Sequence, residues 1–220
     1  MEVGRSAAVG DFGSSVQPIT SATNPATNPA INPAGETDDM NYEKLAIPDV
    51  VLMTPHVFGD ERGFFLETFR HSEFVEHCGD YRFVQDNHSR SGQGILRGLH
   101  YQLHQPQGKL VRVTRGEVYD VAVDLRRSSP TFGQWVGALL SEDNRQMLWV
   151  PPGFAHGFYV TSEIAEFQYK CTDYYAPGDE YSLHWNDPQL AIDWPLVGDE
   201  PVTSDKDEQG RRLADAATFA

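Results

Sequence analysis

Cysteine is scarce in this chain. Two thiols among 220 residues, Cys78 and Cys171, cannot build a disulfide framework and have no metal-ligand spacing. They read as reduced thiols of a cytoplasmic protein. Basic charge is short as well, with 17 Lys and Arg against 32 Asp and Glu and a formal net charge of -15. An acidic surface repels phosphate backbones, which argues against a general nucleic-acid binder. Long apolar runs are missing: nothing approaches the roughly 18 residues of a membrane span. The N-terminus also lacks the basic-then-apolar layout of a signal peptide. What is present is 40% hydrophobic and 11% aromatic residues, enough for a substantial core in one domain with a tail.

Charge and pattern are uneven along the chain. Between Tyr81 and Arg127 eight basic side chains (Arg82, Arg90, Arg97, Lys109, Arg112, Arg115, Arg126, Arg127) stand against four acids. A basic middle in an acidic chain suggests a local anion site; solvated strand faces would look the same. Residues 1–40 read as a disordered tail. Asn24-Pro25-Ala26, Asn28-Pro29-Ala30 and Asn32-Pro33-Ala34 recur every four residues, and each proline blocks helix and ladder alike. Apolar residues there are too sparse to offset the entropy of ordering.

Residues 41–220 read as one domain built of strands. Tyr119, Val121, Val123 and Leu125 alternate with Asp120, Ala122 and Asp124, and Ala165, Phe167, Tyr169 and Cys171 alternate with Glu166, Gln168 and Lys170. Shorter runs cover Gly63–Phe69, Leu99–Leu103, Gln134–Leu140 and Met147–Val150, separated by Gly, Pro, Ser and Asp turns. One short helix fits Ser72–Cys78, with Ser72 as N-cap and Gly79 beyond its end. Many short strands and almost no helix predict an all-β sandwich or barrel, best matched by a jelly roll. Such a barrel can hold a small ligand in its mouth.

Three stretches could carry chemistry. In Arg97-Gly98-Leu99-His100-Tyr101-Gln102-Leu103-His104, a strand puts His100, Gln102 and His104 on one face. Arg97 has the wrong parity to join them except from a strand end or a bulge. In Pro151-Pro152-Gly153-Phe154-Ala155-His156, a turn places His156 at the start of a strand near a rim. Tyr169 lies on the apolar face of its strand beside Phe167. By themselves these residues fit packed histidines and a core phenol as well as they fit an acid–base pair. A metal is not expected, because His100 and His104 would stand about 13 Å apart along a strand.

Longer blocks are more specific. Val57–Phe65, Phe83–Ser89, Leu96–Gln102, Gly108–Arg112, Ser129–Gly133, Pro152–Phe158 and Ala165–Lys170 resemble, in order and spacing, the dTDP-4-dehydrorhamnose 3,5-epimerases over roughly residues 45–210. The resemblance implies a cupin-type jelly-roll β-barrel (a double-stranded β-helix) with one or two short helices. It further implies a cytoplasmic homodimer that needs no cofactor and inverts C3 and/or C5 of a dTDP-4-keto-6-deoxyhexose. It places the catalytic base on His100, the acid on Tyr169, the carboxylate orienting the base on Asp207 and the cation at the keto oxygen on Lys109. It places substrate contacts on Arg62, Glu67, Gln85, Asp86, Asn87, Arg97, His156, Glu180 and Lys206, some from the partner subunit. The N-terminal tail is not part of the pattern.

The chemistry suits those residue types. Removing a proton beside a ketone needs a base near neutral pKa, which histidine supplies. The enolate puts charge on the C4 oxygen, where a fixed ammonium stabilises it. Inversion needs a proton donor on the opposite face. Arg62 and Arg97 could grip a diphosphate. Other readings remain: a single-carbon epimerase, a ketoisomerase, a metal-dependent cupin enzyme, or a sugar-nucleotide binder without turnover. For the tail, deletion of residues 1–38 is expected to leave turnover and melting temperature almost unchanged. A marked fall in either, or in dimer formation, would contradict that.

Overall fold

The computed structural model describes residues 40–220, so the expected tail lies, Met40 apart, outside the described residues. In chain order the strands are β1 (Asn41–Lys44), β2 (Val51–Thr54), β3 (Val57–Asp60), β4 (Gly63–Leu66), β5 (Gln85–Gly92), β6 (Leu96–Gln102) and β7 (Lys109–Arg115). They continue as β8 (Glu117–Asp124), β9 (Trp135–Ser141), β10 (Met147–Val150), β11 (Phe154–Val160), β12 (Ile164–Cys171) and β13 (Glu180–Ser182). Helix α1 (His71–Cys78) precedes β5, and α2 (Asp205–Glu208) lies near the C-terminus. A six-stranded sheet ordered β1-β2-β10-β7-β12-β5 faces a five-stranded sheet ordered β13-β6-β11-β8-β9. The β3–β4 hairpin stands apart from both. This is the all-β jelly roll expected, with its two sheets open rather than closed and two short helices.

The five-stranded sheet is covered on both faces, the six-stranded sheet on its inner face and, by α1, on part of its outer one. Between the sheets, Val111, Val113, Leu148 and Phe167 meet Val118, Ala122, Val136 and Phe158. Outside the five-stranded sheet, Leu99, Tyr101, Val121 and Val123 pack under Leu183, Leu190, Trp194 and Leu213 of the C-terminal segment. The alternation in β8 therefore has a different meaning from a wet and a dry face. Its apolar side lies under the C-terminal segment, and Asp120 and Ala122 point between the sheets. Outside the six-stranded sheet, Phe74 of α1 is fully buried with its ring edge-on to Trp149 at 5.0 Å. Burying a phenylalanine side chain contributes roughly 1.5–3 kcal/mol, enough to dock so short a helix.

The start of α1 differs from expectation. Its N-cap is Arg70, not Ser72, and no side chain caps it. Arg70 instead bridges Glu67 and Glu73 at 3.0 and 2.6 Å, so ion pairs hold the entry to the helix. Gly79 does end it, at a φ of 100° that favours glycine. Among the described residues no helix is long and apolar enough to cross a membrane.

Candidate active site

Strand parity and one bulge place the residues of the site. His100 and Gln102 turn inward from β6 while Leu99 and Tyr101 turn outward to the C-terminal segment. On the neighbouring β11, His156 pairs with His100 and Phe158 pairs with Arg97, so β6 carries one more residue than β11 over that interval. This bulge brings Arg97 onto the face of His100 despite its parity. Gly98 makes it possible. Its φ is 129°, and a Cβ there would sit 2.5 Å from the Gly157 Cα.

The opposite wall comes from β5, β7 and β12. Gln85, Asn87, Lys109, Phe167 and Tyr169 line one cavity together with Arg97, His100, His156, Glu180 and Lys206. Its volume is about 320 Å³. Base and acid candidates thus lie on opposite sheets of one chamber. His104 does not join them. It lies beyond the end of β6, exposed, with Nδ1 2.6 Å from Asp179.

Asp207 reaches His100 because of how the chain runs past the edge of β6. β13 pairs with that edge as far as His100, and Leu183 exchanges two hydrogen bonds with Leu99. Beyond them the Gly98 N–H is free, and it donates to Asp207 Oδ1 at 3.3 Å. Asp207 sits in the first turn of α2 in a capping box. Ser204 donates to its Oδ2 through both Oγ (2.7 Å) and backbone N–H (3.3 Å). His100 Nε2 stands 2.5 Å from Oδ1, and only 4% of the Asp207 side chain is exposed.

This setting fixes the protonation state. Burial raises the Asp207 pKa, but the bonds from His100, Ser204 and Gly98 outweigh it and hold the carboxyl at about 2. An ionised carboxylate can only accept, so His100 carries its proton on Nε2 and keeps the Nδ1 lone pair free. Burial, helped by Lys206 and Lys109, lowers the His100 pKa below 6.5 against the upward pull of Asp207. The imidazole is therefore neutral at pH 7. A general base acts in its neutral form, so with His100 in that role the acidic limb of kcat/KM is expected to be centred below pH 6.5. An acidic limb centred at or above pH 7 would contradict this.

The other groups are conditioned by burial too. Tyr169 has its pKa raised by burial, which keeps the phenol protonated and able to donate. Burial lowers the Lys109 pKa, while Cys171, Asp120 and Glu180 pull it up. Neither Lys109 nor Arg97 forms an ion pair with a carboxylate among the described residues; Arg97 Nε donates to Ser91 Oγ at 3.0 Å. Two cations without carboxylate partners in one chamber invite an anionic ligand. Lys206, by contrast, is paired with Glu180 at 2.5 Å.

His156 is not at the rim. It is 6% exposed, with Nε2 2.9 Å from both oxygens of Asp120. Residue-by-residue reading missed Asp120, although a signal was there: an acid on the inward phase of a central strand needs a partner.

Three expected contacts lie elsewhere. Arg62 is at the tip of the β3–β4 hairpin, its side chain 86% exposed and tied to Asp60. Glu67 follows that hairpin and pairs with Arg70. Asp86 alternates with Gln85 and Asn87 and so points out of the sheet, where Lys170 meets it at 3.0 Å. The basic middle is also only partly a site. Of its eight side chains Arg97 and Lys109 enter the chamber, while Arg112 faces outward and Arg126 is locked to Asp124 and Asp49. Cys78 and Cys171 are both free thiols. Among the described residues no three His, Cys, Asp or Glu side chains gather as a metal-binding group.

Comparison with known proteins gives the family. Residues 44–215 match the family model described as dTDP-4-dehydrorhamnose 3,5-epimerase. The dTDP-4-dehydrorhamnose 3,5-epimerase of Pseudomonas aeruginosa is 62% identical over 82% of this chain and 99% of its own. That of Shigella flexneri is 54% identical over 82% and 99%. A crystal structure of the dTDP-6-deoxy-D-glucose-3,5-epimerase of Legionella pneumophila, in complex with dTDP-4-keto-L-rhamnose, superposes with a TM-score of 0.79 at 55% identity, covering 81% of this chain and 95% of that one. A match across nearly the whole described domain, at identities above one half, leaves one assignment: the chain belongs to the dTDP-4-dehydrorhamnose 3,5-epimerase family of isomerases.

Proposed function

We propose that this chain inverts C3 and C5 of dTDP-4-dehydro-6-deoxyglucose through enolates, with His100 as base and Tyr169 as acid. The observation that carries the reading is a single chamber holding a carboxylate-backed imidazole on one sheet and a half-buried phenol on the other. His100 Nδ1 takes the proton from the carbon beside the C4 ketone. Asp207 fixes the ring and stabilises the imidazolium that forms. Lys109 faces the C4 oxygen, and poor solvation strengthens its hold on the charge that develops there. Tyr169 delivers a proton to the opposite face of the same carbon; before the second inversion His100 gives up the proton it took and the Tyr169 phenolate takes one back, with solvent carrying both. Arg97 and His156 hold the diphosphate, and Gln85 and Asn87 offer amides to the base. The test is incubation with dTDP-4-dehydro-6-deoxyglucose in deuterated water, followed by NMR of the sugar. Deuterium at both C3 and C5 supports the reading, deuterium at one carbon makes this a single-carbon epimerase, and none at either overturns it.

The reading includes a cytoplasmic homodimer in which the β3–β4 hairpin of one subunit supplies Arg62 and Glu67 to the chamber of the other. Support comes from the hairpin itself, which exposes Phe58, Phe64 and Phe65 and projects Arg62 away from its own chamber. Exposed aromatics grouped in this way mark an interaction surface. Arg62→Ala and Arg97→Ala are each expected to weaken dTDP binding by roughly 1.5–3 kcal/mol, the range for a hydrogen bond to a charged group. Calorimetry with dTDP checks this, and an unchanged affinity in both variants would put the phosphates elsewhere.

A further inference from the structure

The mouth of the chamber is held by glutamine side chains. The segment from Asp173 to Ala176 follows β12 and carries Tyr175 to the chamber. Among the described residues its backbone has few partners of its own. The Asp173 carbonyl accepts from Gln107 Nε2 at 2.8 Å, and the Tyr175 N–H donates to Gln85 Oε1 at 3.0 Å. The Tyr174 N–H donates to Asp173 Oδ1 at 2.7 Å, the Ala176 carbonyl accepts from the Asp179 N–H at 2.9 Å, and Gln102 makes two further contacts. Its Nε2 donates to the Tyr174 carbonyl at 3.1 Å, and its Oε1 accepts from the Ala176 N–H at 2.9 Å.

Gln102 differs from the other two glutamines. It is only 3% exposed, it lies two residues after the base on the same strand face, and it also donates to the Gln105 carbonyl at 2.7 Å. One buried amide thus ties the loop after β6 to the loop after β12. The second loop ends in Tyr175, whose hydroxyl donates to Glu180 at 2.8 Å. A buried amide with three of its hydrogen bonds made is costly to disturb, so both loops should move if it is lost.

We propose that Gln102 is a positioning residue that sets substrate affinity by fixing the Asp173–Ala176 segment, and with it Tyr175, at the mouth of the chamber. It hydrogen-bonds to neither His100 nor Asp207, so its effect falls on binding and not on proton abstraction. The kinetic part of this inference rests on the epimerase reading; the structural part does not.

The test uses Gln102→Met, which keeps the chain length and removes every polar contact, and Gln102→Glu, which keeps the acceptor but gives up the donors. Hydrogen exchange reads the clamp directly. The Tyr175 and Ala176 amides are expected to exchange about tenfold faster in Gln102→Met, the factor for one net hydrogen bond, and by less in Gln102→Glu. Melting curves confirm that each variant is folded. With dTDP-4-dehydro-6-deoxyglucose, KM is expected to rise about tenfold in Gln102→Met while kcat stays within about twofold. Tyr175→Phe should add less in that background than in the parent. Unchanged exchange at Ala176 overturns the clamp whatever the enzyme does. Faster exchange with a fall in kcat at constant KM overturns the positioning role. Absence of turnover in the parent would fall on the epimerase reading, and the dTDP affinity of Gln102→Met, measured by calorimetry, would then decide the role of Gln102.

Discussion

His100→Asn is expected to abolish both epimerisation and solvent-deuterium incorporation at C3 and C5, with a loss of about 10³-fold or more. General-base catalysis contributes roughly 10²–10⁴-fold, and in His100 the bond from Nε2 to Asp207 leaves the Nδ1 lone pair free to take the proton. Asparagine is shorter, and its amide reaches the place of Nδ1 rather than Nε2, so Asp207 keeps the Gly98 and Ser204 donors, which should hold the bulge and the seat of α2. What it lacks is a basic nitrogen. Without proton removal no enolate forms, and exchange must fail together with inversion. NMR of the sugar in deuterated water, with a melting curve to confirm folding, measures both. Exchange continuing at near the parent rate would move the base to another residue.

Tyr169→Phe is the second large effect. The ring packs 5.9 Å from Phe167 on the inward face of β12, and phenylalanine preserves that contact. The hydroxyl is the only part lost. Net inversion is expected to fall by roughly 10²-fold or more, as for loss of a general acid, while the melting temperature stays near that of the parent. Loss of inversion with intact folding separates a proton donor from a core phenol. If the variant inverts both carbons at the parent rate, the hydroxyl is a packing feature and Tyr175 is the next donor to examine.

How far the site was legible in the sequence depended on the kind of signal. Period-two alternation gave the inward phase of Tyr169, because β12 turns Ala165, Phe167 and Tyr169 toward the core and Glu166, Gln168 and Lys170 away from it. The same rule turned Asp86 away from Gln85 and Asn87, something motif resemblance alone does not reveal. Arg97 illustrates the limit of parity. It enters the chamber through one extra residue in β6, permitted by the close approach of Gly98 and Gly157, and that contact spans two strands far apart in sequence. The His156–Asp120 pair is similar, since its partners lie 36 residues apart and only the register of β8 and β11 unites them. Arg62 was legible as a family motif, yet the fold of its own hairpin sends it outward, exposed and tied to Asp60, so the geometry of one chain does not bring it to the chamber.

The central claim is that His100 and Tyr169 serve opposite faces of one carbon. The most direct test follows Tyr169→Phe and the parent side by side by NMR in deuterated water, scoring deuterium uptake and stereochemistry at C3 and C5 separately. The account predicts uncoupling. In the variant His100 still removes and returns protons on its own face, so deuterium enters with the starting configuration retained, while in the parent each incorporation accompanies inversion. Equal loss of exchange and inversion in Tyr169→Phe would contradict the account. The phenol would then support the enolate or hold the sugar, and the opposite-face donor would have to be sought elsewhere.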